Sequence, residues 1–311
     1  MRVAGDARGD LAIVADEATF RGGERDVLYL TRKPAGQRLG RQVAIARGGR
    51  ITAVAIQLDA RGDALVAWAR DRRVEARWIT AGGRPRPVAS LGSSEPAPTL
   101  ALGVGSDRRA TVLWESQLVD AQAAEPHVPG SGLRVDAAFA AAGGRFGTRL
   151  VLETSNSGRA LLDCSRGVDG LAGVSYLGGT VPEIAWTGIQ GNAFVVRAAS
   201  APFGPGQSQI VSNPTTDSCL GGVAASGTGA VALAFAENVG GRLSPFAALR
   251  GPANASFRSP EALGGPALSA SQAEGVGAPR IAADPLGGRF AVVWTSVDGV
   301  THDALSTATG G

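Results

Sequence analysis

The chain alternates short runs of small, apolar and β-branched residues with glycine-rich and polar turns, and no segment sustains a 3.6-residue apolar stripe bounded by caps. That pattern predicts strands from end to end. One unit recurs: a polar turn, a run of small and β-branched residues, then an aromatic. Asp59-Ala60-Arg61-Gly62-Asp63-Ala64-Leu65-Val66-Ala67-Trp68 is its clearest copy, and Asp284-Pro285-Leu286-Gly287-Gly288-Arg289-Phe290-Ala291-Val292-Val293-Trp294 repeats it near the C-terminus. Weaker copies run from Asp6 to Ala15, Ser106 to Trp114, Gly167 to Tyr176 and Ser226 to Phe235. The aligned ends, Ala15, Trp68, Trp114, Tyr176, Phe235 and Trp294, are 53, 46, 62, 59 and 59 residues apart.

A second landmark follows each unit: an alternating strand, a tight turn of small residues and a short apolar strand, as in Val74 to Ile79, Gly82-Gly83 and Pro87 to Leu91. Each repeat therefore reads as four strands, A to D. The A strands fall at Arg2 to Gly5, Ile51 to Leu58, Thr99 to Val104, Ala160 to Cys164, Leu220 to Ala225 and Arg280 to Ala283. Units of roughly 50 residues and about four strands bury their faces only by stacking on one another, and radial stacking is the β-propeller solution. The expected fold is all-β, a six-bladed β-propeller of four-stranded antiparallel blades. It forms a single domain over residues 1–311, with repeats at approximately 1–50, 51–97, 98–158, 159–217, 218–278 and 279–311. A linear β-solenoid or two tandem β-sandwiches is the alternative. The last repeat stops where its strand D should begin, so that blade is expected to lack its outer strand. The sequence then reads in one of two ways. Either it is a fragment whose natural chain carries a leading segment, such as a signal peptide and a closing strand, or one blade has only three strands.

Composition narrows the class. At 44% hydrophobic, 18% charged and 5% aromatic, with 45 glycines and 17 prolines, this is a turn-rich folded chain. Lys33 is the only lysine, the net charge is +3, and no basic run points to nucleic acid. No apolar stretch approaches the roughly 18 residues of a membrane helix, and Met1 to Asp6 leaves no room for a signal-peptide core. Collagen, coiled coil and membrane span are excluded. The two cysteines, Cys164 and Cys219, lie 55 residues apart, close to one repeat, and both sit around strand A of neighbouring blades. They read as a disulfide, as buried free thiols or as a metal or redox pair, and without a nearby histidine they make a poor zinc site. A disulfide fits an oxidising, extracellular setting.

The D-x-x-G-x-A-x-V-x-W unit followed by an A-G-G turn resembles the repeat of secreted bacterial β-propeller proteins, especially those of high-GC actinobacteria, and is loosely similar to sialidase-like six-bladed propellers. The resemblance covers the whole chain and implies a secreted bacterial propeller. Its motif encodes blade structure and carries no function by itself. The sialidase Asp-box, S-x-D-x-G-x-x-W, has no full match; Ser106 to Trp114 only echoes it, and catalytic residues do not carry over. Tyr176 with Glu183 would imitate the tyrosine nucleophile and base of sialidases. The repeat position of Tyr176, shared with Trp68 and Trp294, instead makes it a blade-packing aromatic.

In a blade the A–B and C–D turns emerge on one side, and the B–C turns and D–A crossings on the other. The first kind stays short throughout. B–C connections lengthen to Glu115 to Arg134 in the third repeat and Leu177 to Asn192 in the fourth, and D–A crossings range from Gly92 to Pro98 up to Gly264 to Pro279. Long loops on a rigid scaffold commonly carry binding, which places the expected ligand on the B–C and D–A side. Candidate ligand-binding residues there are Glu115, Asp120, Glu125, His127, Glu183, Trp186, Glu237 and Asp298; paired carboxylates beside an aromatic platform suit a glycan. Asp16, Glu17 and Asp71 also follow B strands and, with Glu115, Glu237 and Asp298, would ring one mouth of the channel. The plainer reading is polar residues capping strand ends in water. His127 and His302 are the only histidines, and HExxH, GxSxG and P-loop motifs are absent. The sequence thus points to a monomeric, non-catalytic extracellular scaffold without cofactor or metal, whose partner is a glycan, a cell-wall component or a protein. A glycan-active hydrolase or lyase built from carboxylates on the same side is the alternative.

Overall fold

The repeated aspartate builds the turn it sits in. Asp59 Oδ1 accepts the backbone N–H of Arg61 at 2.9 Å and of Asp63 at 2.8 Å, while the Gly62 N–H donates to the Asp59 carbonyl at 2.9 Å. Asp6 does the same for Arg8 and Asp10 at 2.9 and 3.0 Å. These are side-chain turns that short carboxylates favour. Gly62 has φ +79°, and a Cβ there would run into the Arg8 guanidinium, so glycine is the residue this turn accepts. The next aspartate works across the blade: Asp63 Oδ1 accepts the Ala81 N–H at 2.7 Å, and Asp10 Oδ1 the Ala35 N–H at 2.8 Å. The D-x-x-G-D unit therefore folds the A–B turn and ties it to the C–D turn of the same blade.

A computed structural model describes residues 1–19, 25–94, 98–119, 129–156, 172–177, 179–203, 206–264, 268–269, 279–284, 287–295 and 301–307. The described residues form six antiparallel sheets in chain order, the blades of a six-bladed β-propeller. The first contains β1 (Arg2–Gly5), β2 (Leu11–Thr19), β3 (Arg25–Lys33) and β4 (Val43–Arg47). The second contains β5 (Ile51–Leu58), β6 (Ala64–Arg70), β7 (Arg73–Ile79) and β8 (Ala89–Ser93). The third contains β9 (Thr99–Val104), β10 (Ala110–Val119), β11 (Pro129–Ala140) and β12 (Leu150–Asn156). The fourth contains β13 (Ala172–Leu177), β14 (Val181–Gln190), β15 (Ala193–Ser200) and β16 (Gln209–Ile210). In the fifth, β17 (Ser218–Ala225), β18 (Val231–Val239), β19 (Arg242–Arg250) and β20 (Glu261–Ala262) are joined by β21 (Leu268–Ser269) on β19. Among the described residues the sixth has three strands, β22 (Arg280–Ala283), β23 (Arg289–Thr295) and β24 (Thr301–Thr307).

By contacts the chain forms two compact units, Met1–Ser116 with Ala137–Leu150, and Gln117–Asp136 with Val151–Gly311. In the first unit, one cluster joins the first two sheets through Leu28, Leu30, Ile45, Val66 and Trp68, and another joins the second to the third through Leu65, Trp78, Leu102 and Trp114. In the second unit, Ala185, Val196 and Ala198 of the fourth sheet pack on Leu220, Leu233 and Phe235 of the fifth, and Ala232 and Ala234 of the fifth pack on Phe290, Val292 and Trp294. Strand β6 is buried along both faces, which explains its unbroken run of Ala, Leu, Val and Trp in place of an alternating one. Trp68, Trp114, Trp186 and Phe235 are the large fully buried side chains of successive B strands. Truncating one to alanine would cost about 3–5 kcal/mol.

Two expected loops are corrected. The stretch from Leu177 to Asn192 contains strand β14, so the fourth blade runs β13 to β16 and its first strand is Ala172–Leu177. The expected A strand at Ala160 to Cys164 lies outside the described residues. Proline and glycine within Val181–Gln190 lower its strand signal, and burial of both faces erases its alternation; Pro182 is tolerated because it is second in the strand. Trp186, not Tyr176, is consequently the B-strand aromatic. In the third blade β10 runs to Val119 and β11 starts at Pro129, so Glu115 lies within a strand and not in a loop.

Candidate functional site

The predicted carboxylates divide between the two ends of their strands. Glu115 stands opposite Thr99 at the start of β9, and Glu237 opposite Ser218 at the start of β17, which puts both toward the B–C end of their own blade. Glu115 is 3% exposed. Glu237 is buried, and its Oε2 accepts the Asn213 N–H at 3.3 Å and the Ser218 hydroxyl at 3.5 Å. Glu183 is different. It pairs with Ser175 near the end of β13 and with Ser200 at the end of β15, so it sits at the A–B end of β14, away from the side on which the sequence reading put it.

Glu183 is 1% exposed and belongs to a packed ion pair. Arg250 donates to it from Nη2 at 2.7 Å and from Nη1 at 3.3 Å, and the Ser200 hydroxyl donates at 2.5 Å. The same guanidinium lies 5.1 Å from the centroid of the Phe257 ring. Burial pushes the Glu183 carboxyl up from its ordinary range, against the downward pull of Ser200 and Arg250. Trp186, 2% exposed, is a core side chain whose indole N–H donates to Glu153 Oε2 at 2.6 Å, with Arg197 at 3.3 Å from the same oxygen. Trp68 repeats this device: its indole donates to Glu75 at 2.8 Å, and Arg70 pairs with Glu75 at 2.7 Å. Asp16 and Glu17 are exposed, and Asp71 Oδ1 accepts the Arg50 N–H at 3.1 Å. Asp120, Glu125, His127 and Asp298 lie outside the described residues.

What the sequence reading missed is a cavity of about 540 Å³ in the second unit. Three connections build it: the β14–β15 turn with Gln190, Asn192 and Ala193, the crossing Pro214–Asp217 ahead of β17, and Asn238 near the end of β18. The crossing is fastened on both flanks. Asp217 Oδ1 accepts the Phe194 N–H at 3.1 Å, and the Asn238 N–H donates to the Asp217 carbonyl at 2.8 Å. Asn213 Oδ1 takes both the N–H and the hydroxyl of Thr215, at 3.0 and 2.9 Å. Asn238 Oδ1 accepts the Gly241 N–H at 3.0 Å. The Thr216 hydroxyl is buried without a hydrogen-bond partner among the described residues. Amides and hydroxyls with one carboxylate are thus held on a fixed frame, a lining suited to a neutral ligand rich in hydroxyl groups.

Cys219, the second residue of β17, is buried and disulfide-bonded, next to Ser218 and the crossing. Cys164 lies outside the described residues. Among the described residues, no group of three or more His, Cys, Asp or Glu side chains is placed to hold a metal ion, and no helix is long and apolar enough to cross a membrane.

No protein-family model and no curated protein matches the chain. Solved structures do resemble it. Prolyl oligopeptidase B from Galerina marginata is similar at TM-score 0.53 and 12% identity, over 98% of this chain and 40% of that one. The six-bladed β-propeller lectin of Aleuria aurantia, a fungal protein that recognises fucose, matches at TM-score 0.45 and 11% identity over 98% and 91% of the two chains. A Hadza microbial sialidase matches at TM-score 0.46 and 12% identity over 98% and 64%. At these identities the likeness is one of fold.

Proposed function

We propose that the protein is a non-catalytic binding scaffold that takes a neutral, hydroxyl-rich ligand, a glycan or cell-wall saccharide, in the cavity between the β14–β15 turn and the Pro214–Asp217 crossing. The carrying observation is the lining itself: Gln190, Asn192, Thr215, Thr216, Asp217 and Asn238 present amides, hydroxyls and a single carboxylate on connections fixed by hydrogen bonds. A hydrolase or lyase needs an acid/base pair at the reacting bond. Glu183, the carboxyl with a raised pKa, is instead buried against Arg250 at the A–B end of its strand, and Glu237 is tied to Ser218 and Asn213. The disulfide at Cys219 supports an extracellular setting, and we take the protein to act as a monomer there.

The test is a glycan panel probed with the wild-type protein and with Asn192→Ala. Saturable binding of at least one neutral glycan, weakened about tenfold or more in the variant, is the expected result. Binding unchanged by Asn192→Ala, or no glycan bound at all, would remove this cavity from the account.

A further inference from the structure

A second cavity, of about 420 Å³, is assembled in the first unit from the corresponding connections of another blade. The crossing before β5 supplies Gly48 and Gly49, and the β6–β7 turn supplies Arg70, Asp71 and Arg73. Its chemistry differs from that of the amide-lined cavity, because its long side chains are cationic. From these residues we propose a binding site for a small oxyanion, a carboxylate, sulfate or phosphate group, with Arg73 as the principal contact and Arg70 as a fixed wall.

The hairpin is built against its local preferences. Arg70 and Arg73 stand directly opposite each other across a two-residue turn, although like charges in that relation repel. The turn residues Asp71 and Arg72 have φ +48° and +64°, in the left-handed region where such turns prefer Asn and Gly. Departures of this kind collect where a side chain serves something other than folding.

The surroundings fix the site. Arg70 Nη1 donates to the Arg47 carbonyl at 2.8 Å and Nη2 to Glu75 at 2.9 Å, which immobilises its guanidinium. Asp71 is turned onto the crossing: its Oδ1 accepts the Arg50 N–H at 3.1 Å, and a Cβ at Gly49 would run into its Oδ2. Arg73 is held by its backbone in the ladder opposite Arg70 and Ser93, while its side chain is exposed and its guanidinium has no hydrogen-bond or ion-pair partner among the described residues. A planar guanidinium with open donors, beside a cavity in the size range of small-molecule sites, matches the two-oxygen edge of an oxyanion.

The experiment titrates inorganic sulfate, inorganic phosphate, D-glucuronate and, as a neutral control, D-glucose into the ¹⁵N-labelled chain, following the amides of Gly48, Gly49 and Asp71. The expected result is saturable shifts at these amides with at least one anion and none with glucose. In Arg73→Gln the apparent Kd rises about tenfold or more, and in Arg86→Gln, an exposed arginine on another turn, it is unchanged. A response to glucuronate alone identifies an acidic sugar, and one to sulfate or phosphate identifies an esterified or free inorganic group. The proposal is overturned if no anion shifts these amides, or if Arg73→Gln binds as tightly as wild type. Either outcome is independent of the amide-lined cavity.

Discussion

Asp63 joins two turns of its own blade and a third turn of the next: its carboxylate accepts the Ala81 N–H at 2.7 Å and also pairs with the Arg108 guanidinium. The aspartate that ends the repeated D-x-x-G-D unit is therefore a clamp. Asp63→Ala should lower unfolding free energy by about 1.5–3 kcal/mol, the range for hydrogen bonds to a charged group. Asp10→Ala removes the equivalent clamp at a more exposed site and should cost less. Urea unfolding of both variants checks this, and equal losses would contradict it.

The same clamp shows why so much of the fold was legible. A turn that needs Asp, Gly and Asp at fixed positions marks the first two blades in the sequence whatever the strands contain, and five of the six expected first strands coincide with observed ones, at β1, β5, β9, β17 and β22. Strand β14 escaped because it is buried on both faces and carries Pro182 and Gly188, which removes both alternation and composition as signals. Trp186 was consequently taken for an exposed platform, when it is a core indole bonded to Glu153, the counterpart of Trp68 on Glu75. The amide-lined cavity was illegible for another reason. Asn192, Thr215, Thr216 and Asn238 are ordinary turn residues, and only the packing of a crossing between two hairpin turns makes them converge. The one available hint was the polar run Asn213 to Asp217 immediately before strand A.

Glu183 gives a pH-dependent test. Its carboxyl is raised chiefly by burial, so the folded state holds its proton more tightly than the unfolded chain does. The stability this group contributes is fully present below the ordinary glutamate value of 4.5 and is lost as pH rises through the higher folded value. Glu183→Gln cannot titrate there. The signed difference, Tm of wild type minus Tm of Glu183→Gln, should therefore rise as pH is lowered from 7.5 toward 4.5. A difference that falls would mean that Arg250 outweighs burial and holds the carboxyl low.

The chain has two cysteines, Cys219 is in a disulfide, and we propose Cys164 as its partner. Closing a loop of 55 residues removes unfolded-state entropy worth up to about 4 kcal/mol in the chain-entropy account. Non-reducing peptide mapping should recover one linked pair, Cys164 with Cys219, and Cys219→Ser should lower the Tm by several degrees. Two free thiols, or a disulfide between separate chains, would contradict the pairing.

The central claim is that the crossing Pro214–Asp217 and the turns beside it receive a hydroxyl-rich ligand and leave it unaltered. The most direct measurement is a ¹⁵N amide titration with the tightest glycan from the panel, with the glycan recovered afterwards and sized by chromatography. The account predicts saturable shifts centred on Asn192, Thr215, Thr216, Asp217 and Asn238, and a glycan of unchanged length. Shifts centred elsewhere would contradict the site, and a shortened glycan would contradict the binding-only function.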